Sequence, residues 1–505
     1  TASPDPALGI EWVNDGLASI MLAALSCLTF VCLIYGGLIP PESIGPRVVL
    51  YYTLILILIT GLTGIVFAGD IFNLFVFLEL AALSAYALVG VAGGKALVAA
   101  FRYLILGTLG ASFYLLGVVF FYAATGALNM ADLAQQLSDD PELMKSKAVI
   151  AGTTFVFIGL GIKMALFPLH GWLPGAYTRA PSAISPLLAA LMTKVALYAS
   201  VRLMFWVLGA GAEIGRVHML TLLGGLGAVA AVVGALLALT QQDVKRMFAY
   251  GGISHVGLIL IGLSQGNQTG FAGGVFYMIN DAIMQAGLFF IAGAAIYLYK
   301  ARSVDEWASL RDGSRWMTGA LIILAMSMIG IPPTGGFFGK WNIILSAMES
   351  KNYVAAGAVI LATLSPMANL LLVHFLLRQE RIRRHHVAGI GIAFAGMISV
   401  LMVRQGHAAA EALFPGDTPA GDLLMLASVF LHQAMIVFEK KALIAGTNPR
   451  QLIISTSIVS VAVFGIVVAL GSESVAAVPS GGRALLVFLY LVTFVGVVLF
   501  FYRRW

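Results

Sequence analysis

The chain has 505 residues, 60% of them hydrophobic and only 10% charged, with a formal net charge of +6. Ordinary soluble domains carry roughly 25% charged residues, so this balance excludes a soluble globular protein. The small positive excess reads as basic cytoplasmic loops rather than as a nucleic-acid surface.

A membrane-spanning helix needs roughly 20 apolar residues. About fifteen segments approach that length, near 17–39, 48–68, 71–92, 99–124, 149–170, 183–207, 219–239, 246–264, 270–298, 316–347, 353–377, 387–404, 422–439, 451–471 and 484–502. No alternating strand pattern runs through them, and open strands do not satisfy their backbone in lipid. The expected fold is therefore an all-α polytopic membrane protein. The 56 glycines suit close helix packing. Cys27 and Cys32 share one apolar run, so no disulfide framework is expected.

Orientation follows the positive-inside rule. Lys95, Arg102, Arg179, Lys245, Arg246, Lys300, Arg302, Arg311, Arg315, Arg378 to Arg384, Lys440, Lys441, Arg450, Arg503 and Arg504 fall on one side of the predicted spans. The acidic loop Asp132 to Glu142, with Glu213, Glu411 and Asp417, falls on the other. This pattern places the N-terminus outside and the C-terminus in the cytoplasm. Lys245 and Arg246, at a segment start, read as topology anchors. Asp15 and Asp70 read as helix N-terminal charges that suit the helix dipole.

Two segments are predicted to break. One holds Lys163, Pro168, His170 and Pro174, with His170 as a cap of the broken helix. The other runs Gly330-Ile-Pro332-Pro333-Thr-Gly335-Gly336 to Lys340. Proline removes a backbone donor and clashes with the preceding turn. Within a membrane such breaks survive where the backbone lines protein or water. Paired breaks point to an inverted-repeat transporter with its site at the breaks.

Ionisable side chains within spans are functional by default. Here they are Glu79, Lys163, Lys194, His255 and Lys340. As single residues each also has a bland reading as a helix-packing pin, and His255 does so most readily. Together they form a proton-exchanging set. A Glu79–Lys163 pair would hold the ammonium, and separating the two would favour passing its proton to Lys194. No P-loop, dinucleotide glycine pattern or Cys/His metal spacing is present, so neither a cofactor nor a metal is expected.

Specific stretches carry a family resemblance: Ala68-Gly-Asp70-Ile-Phe-Asn73 to Glu79, Thr125-Gly-Ala-Leu-Asn129-Met-Ala-Asp132, Lys163 to Pro174, Arg179-Ala-Pro181-Ser, Asp243-Val-Lys245-Arg246 to Tyr250 with Ser254-His255, and Gly330 to Lys340. Over about residues 10–360 the chain resembles the antiporter-like subunits of respiratory complex I and of Mrp-type multisubunit cation/proton antiporters, and most of all the D-type Mrp component. The resemblance implies inverted five-helix repeats with two broken helices, and a buried chain in which Glu79, Lys163, Lys194, His255 and Lys340 move protons. It divides the chain into a first transmembrane helix with its flanks (1–47), a first repeat (48–207), a second repeat (208–377) and further transmembrane helices (378–505).

The implied function is proton translocation within a multisubunit monovalent cation/proton antiporter, with sodium as the implied cation. Its partners would be other membrane subunits, protons, the cation and the lipid bilayer, with no nucleic acid. The expected location is a bacterial inner membrane, and the protein is a secondary transporter subunit more than an enzyme. The alternatives are a proton-pumping subunit of a complex I-like or membrane hydrogenase complex, which would make it a translocase, and a small-metabolite transporter.

Three departures stand out. Asp15-Gly16-Leu17 matches the family's third helix, so two N-terminal helices are expected to be absent. Asn280 and Gln285 stand where related proteins have His and Lys, which would cut the second half of the relay or reroute it through Asp281 and His255. From Leu364 onward the chain resembles drug/metabolite transporter (EamA-like) permeases, with His432 and Glu439 read as packing or loop-edge residues.

Overall fold

A computed structural model describes residues 11–39, 48–209, 211–214, 217–309 and 314–363. The chain divides into two units, Thr1–Glu380 and Arg381–Trp505, and the described residues all belong to the first. The segments expected after residue 363, the permease-like stretch, His432 and Glu439 lie outside the described residues.

Eight described helices are long and apolar enough to cross a bilayer, which makes the chain a multi-pass, almost wholly helical membrane protein. They are α1 (Gly16–Leu38), α2 (Val48–Phe67), α3 (Ile71–Gly90), α4 (Lys95–Thr125), α9 (Ser185–Arg202), α10 (Met219–Leu239), α11 (Val244–Ser264) and α12 (Gln268–Tyr299). A π-helical turn, Leu203–Val207, extends α9. Shorter helices lie between and after them: α5 (Met130–Asp139), α6 (Pro141–Met144), α7 (Lys147–Lys163), α8 (Leu173–Arg179), α13 (Arg315–Ile329), α14 (Gly335–Glu349) and α15 (Tyr353–Thr363). A two-residue antiparallel ladder pairs Glu213–Ile214 with Val217–His218.

Helix starts follow local chemistry. Short side-chain acceptors at Asp15, Asp70, Asn129, Asp140, Ser146, Asp243, Asn267 and Ser314 each take a backbone N–H of the first turn. The N-terminal roles expected of Asp15 and Asp70 are both seen. Asp15 also receives two hydrogen bonds from the Arg202 guanidinium, at 2.5 and 2.7 Å. Burial alone would raise its carboxyl pKa; the Arg202 and Ala18 hydrogen bonds and the guanidinium charge hold it below the ordinary value.

Helix α9 lies at the centre, with every residue from Ser185 to Arg202 buried. An apolar helix with no solvent face is what full enclosure by other helices requires. By contrast Phe30, Val49, Leu56 and Phe101 on α1, α2 and α4 are more than half exposed, as suits side chains that meet lipid. The main packing pairs are α2 with α3, α4 with α7, α10 with α11, and α12 with α9, α11 and α14. Where α4 meets α7, a Cβ on Gly159 would stand 2.6 Å from Gly110 O and 2.7 Å from Tyr114 N. Only glycine allows that backbone approach.

Within the segment read over 149–170, α7 ends at Lys163, because Gly161 O accepts from Leu166 N and Ala165 takes a left-handed φ of 56°. The structure corrects two expectations. The acidic loop Asp132 to Glu142 is mostly helical, in α5 and α6: Asn129 caps α5, and Leu133 and Leu137, one turn apart, bury one face. Lys245 is not an exposed topology anchor. It is 2% exposed, because the first turn of α11 packs onto the α8–α9 connection.

Candidate functional site

The site grows from where α7 stops. Lys163 is its last residue, and the following turn carries Pro168 and His170. Trp172 folds back so that its indole N–H donates to Ile162 O at 2.7 Å, and its ring stacks on Tyr103 at 4.0 Å. These contacts anchor the interruption and hold Lys163 inside the bundle. His170 does not cap α8 through its side chain, contrary to expectation. Its ring lies against Phe167 and Tyr250, and its backbone oxygen accepts from Leu173 N.

Lys163 Nζ donates to Glu79 Oε1 at 2.8 Å, from α7 to the middle of α3. The lysine side chain is 7% exposed and the glutamate 22%. An ammonium in this setting needs a counter-charge, and Glu79 supplies it.

Lys194, on α9, lies elsewhere in the bundle. Its ammonium is 2.7 Å from Asp281 Oδ2, on α12, and donates to Ala189 O at 3.0 Å. Asp281 Oδ1 lies 2.6 Å from His255 Nδ1, on α11. An ionised carboxylate only accepts, so the proton of that bond sits on Nδ1. All three side chains are at most 2% exposed. Asp281 thus gathers α9, α11 and α12 on one carboxylate.

The second interruption separates α13 from α14 over residues 330–334. Lys340 points back across it and donates to Met328 O at 2.6 Å and Ile329 O at 3.4 Å, the last carbonyls of α13. Ser327 Oγ accepts from Gly336 N at 3.2 Å and lies 3.5 Å from Asn280 Oδ1. Tyr277 lies between two members of the set, with its ring 5.9 Å from Lys340 Nζ and 5.7 Å from the His255 ring. The phenol oxygen of Tyr277 and the amide nitrogens of Asn280 and Gln285 are buried without a protein partner.

Glu79, Lys163, Lys194, His255 and Lys340, the five candidates from the sequence, all lie within the helical bundle. The structure pairs Glu79 with Lys163, and brings Lys194 and His255 together through Asp281. Asp281 entered the sequence reading only as a detour, yet it is the carboxylate that organises the centre. The signal for it was in the chain: a lone carboxylate in the middle of a 32-residue apolar helix. Among the described residues no cluster of His, Cys, Asp and Glu is arranged to hold a metal.

The arrangement places three amines, one imidazole and two carboxylates in the interior of one helical bundle. Such groups exchange protons as coupled sets rather than one residue at a time.

Known proteins share this chain's design. Residues 68–366 match the family model described as NADH:quinone oxidoreductase/Mrp antiporter, TM. The chain is 41% identical over 359 residues to the N-type subunit of an NADH-quinone oxidoreductase from Desulforudis audaxviator, covering 71% of each. It is 30% identical over 433 residues to the D-type subunit of an Na(+)/H(+) antiporter from Alkalihalophilus pseudofirmus, covering 85% of this chain and 86% of that one. In structure it is similar to a chain of the membrane-bound sulfane sulfur reductase, an archaeal respiratory membrane complex. The TM-score there is 0.68 at 31% identity, over 79% of this chain and 81% of the other.

Proposed function

Because the chain belongs to the NADH:quinone oxidoreductase/Mrp antiporter family of membrane proteins, we propose that it is a proton-translocating subunit of a multisubunit monovalent cation/proton antiporter. Its working groups are Glu79, Lys163, Lys194, His255 and Lys340, with Asp281 added. The observation that carries the reading is the Glu79–Lys163 ion pair, with its lysine buried at the end of α7. Drawing Glu79 away leaves the ammonium without its counter-charge, and its proton is then favoured to leave toward the Lys194–Asp281–His255 group. Lys340 is the farther store, with Tyr277 between it and His255.

The likeness to an Na(+)/H(+) antiporter component supports sodium as the exchanged cation and other membrane subunits as partners. The two interruptions support inverted five-helix repeats at 48–207 and 208–377, after a first helix within 1–47 and before further spans in 378–505, about fifteen spans in all. Loop charges support an outside N-terminus and a cytoplasmic C-terminus in a bacterial inner membrane.

The test is Lys163→Ala in everted vesicles that carry the whole complex. Sodium-driven proton movement, followed with a pH-sensitive dye, is expected to vanish. Undiminished exchange would sink the proposal. A second reading, a proton-pumping subunit of a complex I-like assembly, is favoured by the 41% identity to the NADH-quinone oxidoreductase component. Purification of the complex separates the two: iron–sulfur proteins accompany the chain in one case, and small membrane subunits without redox centres in the other.

A further inference from the structure

Lys245 stands outside the pathway described so far. It is the second residue of α11 and 2% exposed, while Arg246 beside it is exposed. Its ammonium donates to Ala180 O at 3.3 Å, Ser182 Oγ at 3.2 Å and Ser185 Oγ at 3.0 Å. All these acceptors are neutral, and among the described residues no carboxylate forms an ion pair with it. A buried amine held only by neutral oxygens is costly in its charged form. Its place in the first turn of α11 adds to the cost, because helix N-termini favour anions, and Ser185 opens α9 close by. The C-terminal carbonyl of α8, at Ala180, and the Asp243 carboxylate favour a cation here, while the Arg302 guanidinium opposes one. A purely structural contact would be better served by an uncharged donor.

The surroundings lead both ways. Outward, Asp243 caps α11 and pairs with Arg302 at 3.4 Å, and these side chains are 25% and 50% exposed. Their charges act on Lys245, in opposite directions; Arg179, at the end of α8, is exposed. Inward, Ser185 Oγ reaches the carbonyls of Tyr177, Ala180 and Pro181 at 3.1–3.3 Å. The Tyr177 hydroxyl donates to Leu188 O at 2.9 Å and shares a hydrogen bond with Thr193. Thr193 adjoins Lys194, whose ammonium pairs with Asp281. Thr178 Oγ1, in the same corridor, is buried without a protein partner.

We infer that Lys245 is the residue through which protons pass between the central Lys194–Asp281–His255 group and the membrane face where α11 begins. The inference rests on the antiporter reading above. In the inward direction the neutral amine takes a proton from water at Asp243 and becomes an ammonium. It gives one N–H proton to the Ser185 hydroxyl, whose own proton passes through intervening water to the Thr193 hydroxyl and on to the Lys194–Asp281–His255 group, and the amine is neutral again. One proton has moved, and no electron.

The experiment uses the whole complex in vesicles, with Lys245→Gln, Lys245→His and Lys163→Ala side by side and complex assembly checked by co-purification. Glutamine keeps N–H donors for the same oxygens but carries no exchangeable charge. Exchange is expected to fall roughly a hundredfold, the low end of what a positioned acid–base group contributes. Histidine restores a titrating group with a lower intrinsic pKa, so exchange returns with its pH profile displaced to acid. Wild-type rate and pH profile in Lys245→Gln would overturn the inference, as would a Lys245→His complex as inactive as the glutamine variant. If the glutamine complex does not assemble, the histidine pH profile decides. Retained exchange in Lys163→Ala removes the antiporter reading itself, whereas loss there with unchanged Lys245→Gln removes only the role of Lys245.

Discussion

At the first interruption the Lys163 ammonium meets the Glu79 carboxylate; at the second, the Lys340 ammonium meets the Met328 and Ile329 carbonyls. Both lysines are buried, and each lies beside a break in its helix. The first partner is a flexible, ionisable side chain, 22% exposed, which can move away or change charge. The second is the fixed C-terminal end of α13, whose carbonyls attract a cation but do not titrate. In this second half the ionised carboxylate lies instead on Asp281, next to Asn280, and serves Lys194 and His255. Two similar motifs thus hold the same amine by different physics: one by a counter-charge that can be withdrawn, the other by a permanent dipole.

The sharpest way to break this comparison is to remove each carboxylate. Asp281→Ala strands the Lys194 ammonium in a fully buried site and is expected to cost about 3–5 kcal/mol. Glu79→Ala removes one member of a less enclosed pair, 22% exposed on the glutamate side, and should cost less, roughly 1–3 kcal/mol. Thermal denaturation of the purified complex measures both, and equal losses would erase the distinction. Next comes packing in the first half: Gly159→Val forces α4 and α7 apart and should cost about 1–3 kcal/mol, seen as a lower melting temperature. Lys340→Met removes only a cation at a helix C-terminus, so stability should change by about 1 kcal/mol or less while exchange is lost. A large drop in melting temperature would show that Lys340 does more than dock on carbonyls.

The smallest effect concerns Asp15. Its folded carboxyl pKa lies below the ordinary value, so its contact with Arg202 contributes stability at any pH above the unfolded value. That contribution fades as the pH falls through the folded one. Asp15→Asn should therefore lower the melting temperature slightly at neutral pH and narrow the gap to wild type under acid conditions.

Much of the fold was legible in the chain. The span boundaries from apolar runs fall within a few residues of α1 to α4 and α9 to α12, because lipid demands long apolar stretches wherever a helix crosses. Pro168 falls between α7 and α8, and Pro332 and Pro333 fall between α13 and α14. Glu79 and Lys163 were legible as a pair, since a glutamate and a lysine alone in apolar helices need partners. Lys245 was misread because a lysine at a segment start is usually a surface anchor, and nothing local reports the α8–α9 connection folding over it. The helices within Asp132 to Glu142 were hidden by their charge.

Length, apolar patterning and isolated charges by themselves determined that this is a multi-pass helical membrane protein with ionisable side chains inside its helices. Those features answer to the bilayer, which acts on every residue through its own hydrophobicity. The tertiary structure alone decided the pairings: that Lys194 meets Asp281, that His255 completes the same group, that Lys340 rests on carbonyls and that Lys245 is enclosed. A pairing depends on which faces of distant helices meet. That is set by glycine-lined close approaches and by the angle at each interruption, and neither is written in any one segment.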